Sequence, residues 1–556
     1  MSKRRVLGAA IGDDVHVGGV VRFLHLAEQL GYEVKSLGPA VPVDVLLAEV
    51  KAWNPEIVAV GYRLTPESGR EVLTHLAGDA RAQGEAGRRW VLGATDPVAE
   101  HGRALNFFEA VFGGSAEWQE LVDFLRGVQS VAEGGIPPQN LVDRILWKRP
   151  FPLLRHHFGQ PTVATTVEGI RQIAEAGALD VMSLGTDQNA QEHFFRPEEM
   201  DPREHGAGGV PVRTPDDLRA LFAASRTGNH PIMRCYSGTR DQLKWAEMLH
   251  ETINNAWAAV PLFWYSQLDG RSQRPLVESI PEVQQVFRWH AERGIPVESN
   301  ESHHWSLRDA PDTIAVAAAY IAAYNAKQAG VKDYIQQLMW NNPPLTSPAM
   351  DLAKMLAKLE LVEELTEPDF RVWRECRAGL TSMPAGFDRA KGHLAASTFL
   401  QMAVKPDIVH IVGHSEYHHA ATAADIIEGC NVVRGAIQLA LQGLPDMTQD
   451  VAVQARKAEL VREAKLLLEA IASLAPADVA DPLTHAPTLA RAVHTGLLDA
   501  PHLMGNKEGR GQVAVRFDDG ACRAFDRESG KLLSEAERIA KLMGREAELL
   551  TKGGVA

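Results

Sequence analysis

Val6-Leu-Gly-Ala-Ala-Ile11, followed at once by Gly12-Asp-Asp-Val-His-Val-Gly-Gly19, is the stretch on which the fold of this chain turns. Residues 6–11 form an apolar run of strand length, and residues 20–30 repeat apolar side chains at helical spacing. The residues between them are therefore a strand-to-helix loop. On that loop Asp14 stands two residues before His16, which places a carboxylate beside an imidazole. A carboxylate in that position orients a metal-ligating imidazole and raises its basicity.

The alternation continues. Strands are predicted over residues 33–37, 56–60, 89–92 and 108–112, with helices over 43–50, 67–76 and 117–125. Short strands alternating with helices predict a flavodoxin-like, doubly wound parallel sheet over residues 1–130. In such sheets ligands sit beyond the carboxyl ends of the strands, at the switch point beside the first strand, which is where His16 falls.

Asp14-x-His16-x-x-Gly19 resembles the Asp-x-His-x-x-Gly signature of cobalamin-binding domains. The resemblance implies that His16 is the lower axial ligand of cobalt. Two further markers of that family are present in altered form. Tyr62-Arg63-Leu64 stands where the family has Ser-x-Leu, and Gly93-Ala94 where it has Gly-Gly, with a second pair, Gly113-Gly114, after the fifth strand. The resemblance thus implies a cofactor site made of Asp14, His16, Gly19, Tyr62, Leu64, Gly93, Ala94, Gly113 and Gly114.

Residues 131–161, rich in Gly and Pro and then in Arg and His, have linker chemistry. From 162 to 445, strand-length apolar segments (180–184, 232–236, 260–264, 295–299, 334–339 and 408–412) alternate with longer helices. This predicts a TIM-type (β/α)8 barrel, with a second open sheet as the alternative. Polar residues gather after these strands, where a barrel keeps its chemistry. Arg213, Arg234, Arg271 and Arg308 could clamp a carboxylate through their planar forks. Glu298, Glu301, His303 and Tyr265 could exchange protons with a substrate. His414 and His418, with His303, His304 and His410, could form a second metal site.

A cobalamin domain followed by a barrel resembles the adenosylcobalamin-dependent mutases, among them the large subunit of glutamate mutase and the aminomutase barrels. The carrying phrases are residues 206–213, 343–353 and 492–501. That resemblance implies an isomerase that rearranges a small carboxylic acid or its thioester, with radical chemistry supplied by adenosylcobalamin and arginines holding the substrate. Aminomutases also hold pyridoxal phosphate through a lysine of the cobalamin domain. Here Lys3, Lys35 and Lys51 lie on no loop beyond a strand's carboxyl end, which argues against that cofactor. A methylcobalamin-dependent methyltransferase is the runner-up, although only thirteen residues precede Asp14 and leave no room for the helical cap of corrinoid methyl carriers. A cobalamin sensor or carrier without catalysis is a third reading.

Residues 446–556 are expected to be a small α+β extension that covers the barrel or forms an oligomer contact such as a homodimer, with a charged helix, a hairpin turning at Asp519-Gly520 and a last helix capped by Ser534. A formal charge of −14 over 556 residues argues against nucleic acid as a partner. No apolar run approaches a bilayer span, and the four scattered cysteines suit neither disulfides nor a zinc site. These features predict a cytoplasmic protein.

Overall fold

In the computed structural model, residues 4–114, 116, 118–128, 135–236, 238–270 and 272–553 are described, with side chains through 544. The chain divides into two units, Met1–Ile136 and Pro137–Ala556.

The first unit is built on β1 (Arg5–Ile11), β2 (Glu33–Val41), β3 (Ile57–Tyr62), β4 (Arg89–Ala94) and β5 (Ala110–Phe112). All pairs are parallel and the order is β2-β1-β3-β4-β5, which puts the switch point between β1 and β3. Leu7, Ala9 and Ile11 of β1 pack with Val58, Val60 and Tyr62 of β3 and with Leu46, Val50, Leu73 and Leu76 of two helices in one core. One helix, Asp96–Ala104, is absent from the sequence reading. It buries only Val98, Ala99 and Gly102, too little apolar periodicity to register.

The second unit contains a nearly closed, eight-stranded parallel barrel. Its strands are β6 (Leu153–Phe158), β7 (Val181–Leu184), β8 (Ile232–Cys235), β9 (Ala258–Ala259), β10 (Val297–Glu298), β11 (Asp333–Trp340), β12 (Arg371–Ala378) and β13 (Ile408–His410). Their order is β8-β7-β6-β13-β12-β11-β10-β9, and the edges approach where Ala256 N–H donates to Met233 O at 2.9 Å.

Three expectations are corrected. The segment 131–161 is not all linker: it holds the helix Leu141–Lys148 and the first barrel strand, β6. A second strand, β12, is also new. Both carry Arg, His or Glu on residues that face the barrel interior, so they lack the apolar run by which a buried strand is recognised. The strand expected at 260–264 is instead the short β9, just before it.

The C-terminal residues share the barrel unit's core. Leu460, Ala464, Leu467 and Ile471 of the helix Val451–Ala472 pack in one cluster with Ile314, Ala318 and Ile321 of the helix Asp312–Gln328. The hairpin is β14 (Val515–Asp518) with β15 (Ala521–Ala524). Asp519 and Gly520 at its turn both have positive φ, 46° and 78°, as a two-residue type I′ turn requires. Ser534 and Glu537 cap the last helix reciprocally.

Candidate functional site

Asp14 is fully buried in the loop after β1, and its two oxygens have separate partners. Oδ1 accepts the backbone N–H of His16 at 2.8 Å and pairs with the ring Nδ1 at 2.7 Å. Oδ2 accepts the N–H of Arg63, just past β3, at 2.5 Å. One carboxylate thus ties together two strand ends at the switch point. With Nδ1–H donated to Asp14, the lone pair of the ring lies on Nε2. No described residue engages Nε2, and 54% of the His16 side chain is exposed. The imidazole lines a cleft of about 340 Å³ with Gly19, Gly61, Gly93, Ala94, Gly113 and Gly114. A Cβ on Gly93 would meet no atom within 4 Å, so its missing side chain leaves open cleft space. Tyr62 and Leu64 do not line this cleft. Strand alternation turns Tyr62 into the core, where its hydroxyl bonds Ser68 Oγ at 2.7 Å, and Arg63 takes the cleft side instead.

The barrel interior has a different character. Arg155 of β6 donates through Nη1 to Glu375 of β12 (2.5 and 2.7 Å) and to Glu298 of β10 (3.1 Å). Its Nε donates to Ser183 Oγ of β7 at 2.8 Å. Trp257 and Gln337 donate to the two oxygens of Glu298 at 2.8 and 2.7 Å. All these groups are buried. Burial pushes both carboxyls up, but Arg155 and Arg234 outweigh it at Glu298, whose pKa lies below the usual range. Glu375, which also feels Glu298, is left above it.

Two guanidiniums here are not consumed. Arg234 of β8 stands 3.6 Å from Glu298 and 3.4 Å from Ser183, yet its Nε and Nη2 have no hydrogen-bond partner. Arg377, two residues beyond Glu375 on β12, is half-buried with a buried, unbonded Nε and no ion pair among the described residues. Around them His157, His303 and His410 are held well below the usual histidine range, by burial first and then by Arg377 and, at His157 and His410, by Arg155 and Arg234 as well. They are neutral at pH 7. The Tyr236 ring stacks on His157 at 4.7 Å and its hydroxyl bonds His157 Nε2.

The remaining expected residues divide. Glu301 is buried, accepts from Phe263 N–H (2.9 Å) and Trp305 Nε1 (2.8 Å), and is pushed up to about 7 by burial. His303 stacks on His304 at 4.3 Å. Tyr265 is buried on the loop after β9 with φ 66°, a left-handed backbone. Arg308 lies over the Trp264 ring at 4.0 Å and donates to His304 O. Arg213 is committed elsewhere: both its Nη atoms bind Asp187, at 2.9 and 2.6 Å, so it has no open fork for a substrate. Arg271 lies outside the described residues. Among the described residues no group of three or more His, Cys, Asp or Glu side chains could hold a metal. His414 pairs with Glu428 and His419 with Asp425. A cleft of about 990 Å³ lies beside the residues that precede β6 and β13. Most of its charges are paired (Arg149 with Asp407, Arg374 with Glu363, Lys457 with Glu360).

Residues 231–545 match the family model of the methylaspartate mutase E chain. The chain belongs to that family. The family is one of cobalamin-dependent mutases, and membership supports a cobalamin-dependent enzyme at that level. The match begins at β8, so it lies wholly within the barrel unit. No curated protein matches. Among solved structures, a cobalamin-binding protein from Desulfitobacterium hafniense DCB-2 is similar at 23% identity, over 23% of this chain and 59% of that one, with a TM-score of 0.20. A Rubisco-like protein from Rhodopseudomonas palustris is similar at 9% identity, over 54% of this chain and 70% of that one, with a TM-score of 0.30. Rubisco from Pyrococcus horikoshii is similar at 13% identity, over 59% and 69%, with a TM-score of 0.35.

In this E-chain family member the first-unit cleft fits cobalamin chemically. It offers one imidazole nitrogen, Nε2, that no described residue engages, beside a glycine-lined space. Arg155, His157, Tyr236, Gln337, Glu375 and Arg377 stand with the expected residues in the barrel's polar interior and are candidates that the sequence reading missed. The usable signal was alternation: Trp373, Glu375 and Arg377 occupy every second position of one strand.

Proposed function

We propose that this chain is a cobalamin-dependent isomerase: its first unit, read as flavodoxin-like, binds the cofactor through His16, and its barrel rearranges a small carboxylic acid. The observation that carries the reading is the Asp14–His16 pair, which leaves a single ligating nitrogen exposed at a glycine-lined cleft in a mutase-family chain. Cobalamin in its adenosyl form supplies radical chemistry when bound; the protein supplies orientation and exclusion of water. Arg234 and Arg377 receive the substrate carboxylate, because each keeps unbonded donors and, unlike Arg155, neither is held by a glutamate at hydrogen-bond distance among the described residues. Neutral His157 and His410, with Tyr236, can hydrogen-bond the substrate without adding charge. Arg155 and its two glutamates hold the strands that carry these groups.

Two measurements test the proposal. Electron paramagnetic resonance of the cobalt(II) cofactor bound to the protein should show coupling to one histidine nitrogen, which changes with nitrogen-15 histidine and is lost in His16→Ala. Candidate dicarboxylates and acyl thioesters, added to the adenosylcobalamin complex, should produce an organic radical signal. Retention of methylcobalamin alone, with methyl transfer to a thiol and no radical in any mixture, would favour a methyltransferase instead.

A further inference from the structure

Arg234 keeps donors unbonded although a glutamate stands beside it. Its Nη2 lies 3.6 Å from Glu298 Oε2, just outside hydrogen-bond distance, and Arg234, Glu298 and Trp257 are all fully buried here. A buried guanidinium next to a carboxylate ordinarily closes on it, because an unmade charged hydrogen bond is costly. The lone pairs of Glu298 explain why this one stays open. Oε2 accepts the indole Nε1–H of Trp257 at 2.8 Å and Arg155 Nη1 at 3.1 Å, and Oε1 accepts Gln337 Nε2 at 2.7 Å. A carboxylate oxygen has about two lone-pair sites, so Oε2 is already filled.

Trp257 also meets Arg234 through its ring. The guanidinium carbon of Arg234 lies 5.2 Å from the Trp257 ring centre and 4.6 Å from that of Tyr236, within cation–π reach of both. Arg155 lies 5.3 Å from the same indole. Arg234 is therefore held by ring faces, which leave its N–H edge open, rather than by an acceptor, which would consume it. The strand register lets one residue do both. Trp257 directly precedes β9, whose Ala259 pairs with Glu298 of β10. Ala259 stands two residues after Trp257, on the same face, and brings only a methyl group to it.

We infer that Trp257 is a positioning residue that keeps Arg234 open to a carboxylate, by occupying the Glu298 oxygen that would otherwise take the free Nη2 donor. The inference rests on the reading of Arg234 as the group that receives the substrate carboxylate. Trp257 touches no reacting group in this scheme and acts through Glu298 and Arg234.

The test uses the full chain loaded with cobalamin, with succinate and butyrate as probes titrated by calorimetry. Trp257→Phe keeps a ring against Arg234 and removes the N–H. It should weaken succinate binding about tenfold, the scale of one hydrogen bond to a charged group. Adding Glu298→Gln to that variant should recover most of the loss, because the amide has no charge with which to hold Arg234. A purely structural role for the indole would give no such rescue. A crystal structure of Trp257→Phe should show Arg234 Nη2 within hydrogen-bond distance of Glu298. Where the single variant does not fold, Glu298→Gln alone decides: it should bind succinate at least as tightly as the wild type, and weaker binding would overturn the inference. Unchanged affinity in Trp257→Phe, or a loss that Glu298→Gln does not relieve, would overturn it while leaving Arg234 as the receiver of the carboxylate. A wild type that binds neither acid, or an Arg234→Ala variant that binds them as the wild type does, would overturn that reading and the inference with it.

Discussion

The two units place charge in opposite ways. In the first, one buried carboxylate, Asp14, holds one imidazole two residues away and leaves its far nitrogen open to solvent. In the barrel, Arg155 holds Glu298 and Glu375 across 143 and 220 residues of sequence, and the network is buried throughout. The first arrangement needs only a loop of the right conformation. The second exists only when strands far apart in sequence have met. A local pair in contact with water costs little to desolvate, whereas an interior network must be satisfied nearly completely or it destabilises the fold.

The most severe way to break this contrast is Arg155→Ala. It would leave two glutamates buried without their shared counter-charge and should cost about 3–5 kcal/mol of stability. Denaturant unfolding measures this. Restoring part of the loss with Glu298→Gln and Glu375→Gln would show that the penalty is one of unpaired charge, and an unchanged midpoint in Arg155→Ala would mean the network does not bear on stability.

Arg234→Ala sharpens the contrast from the side of function. This arginine keeps buried donors without partners, so its removal should cost roughly 2–5 kcal/mol of binding to a carboxylate substrate with a much smaller effect on stability. Arg234→Lys should not restore it, for want of a planar fork. Substrate titration of the loaded enzyme checks both, and unaltered affinity in the alanine variant would remove Arg234 from the site.

Glu301 offers a pH signature. Burial raises its pKa from the ordinary 4.5 to about 7, so between these values the folded state binds a proton that the unfolded state has released. Its contribution to stability is therefore fully present below about pH 4.5 and is lost as the pH rises to about 7, a loss on the order of 3 kcal/mol. The depressed histidines His157, His303 and His410 act in the opposite sense: their contribution is present above their ordinary 6.5 and is lost as the pH falls below it. Subtracting the stability–pH curve of Glu301→Gln from that of the wild type isolates the glutamate. A difference curve flat from pH 4.5 to 7 would refute the shift.

The smallest effect belongs to the first unit. Asp14→Ala removes the group that orients His16 and should weaken cobalamin affinity about 10- to 100-fold, with the barrel's unfolding unaffected. Separate ligand-binding and unfolding measurements decide this, and a loss of barrel stability in the same variant would break the contrast between the units.

The sequence alone determined the first unit almost completely. Alternating apolar runs were enough for its five parallel strands, and the Asp14–His16 spacing was enough for the carboxylate–imidazole contact, because both are set within a few residues. It also located most barrel strands and the hairpin turn at Asp519-Gly520. What it could not determine is what tertiary contact decides. β6 and β12 are strands because a barrel closes around them, and their Arg155 and Glu375 are buried only because partners arrive from β7, β10 and β11. Tyr62 and Arg63 are adjacent in sequence, yet the pleat sends one into the core and the other to the cleft. Arg213 and Arg234 look alike in a sequence. Only the folded chain, by pairing one with Asp187 and leaving the other's donors open, shows which remains available to bind.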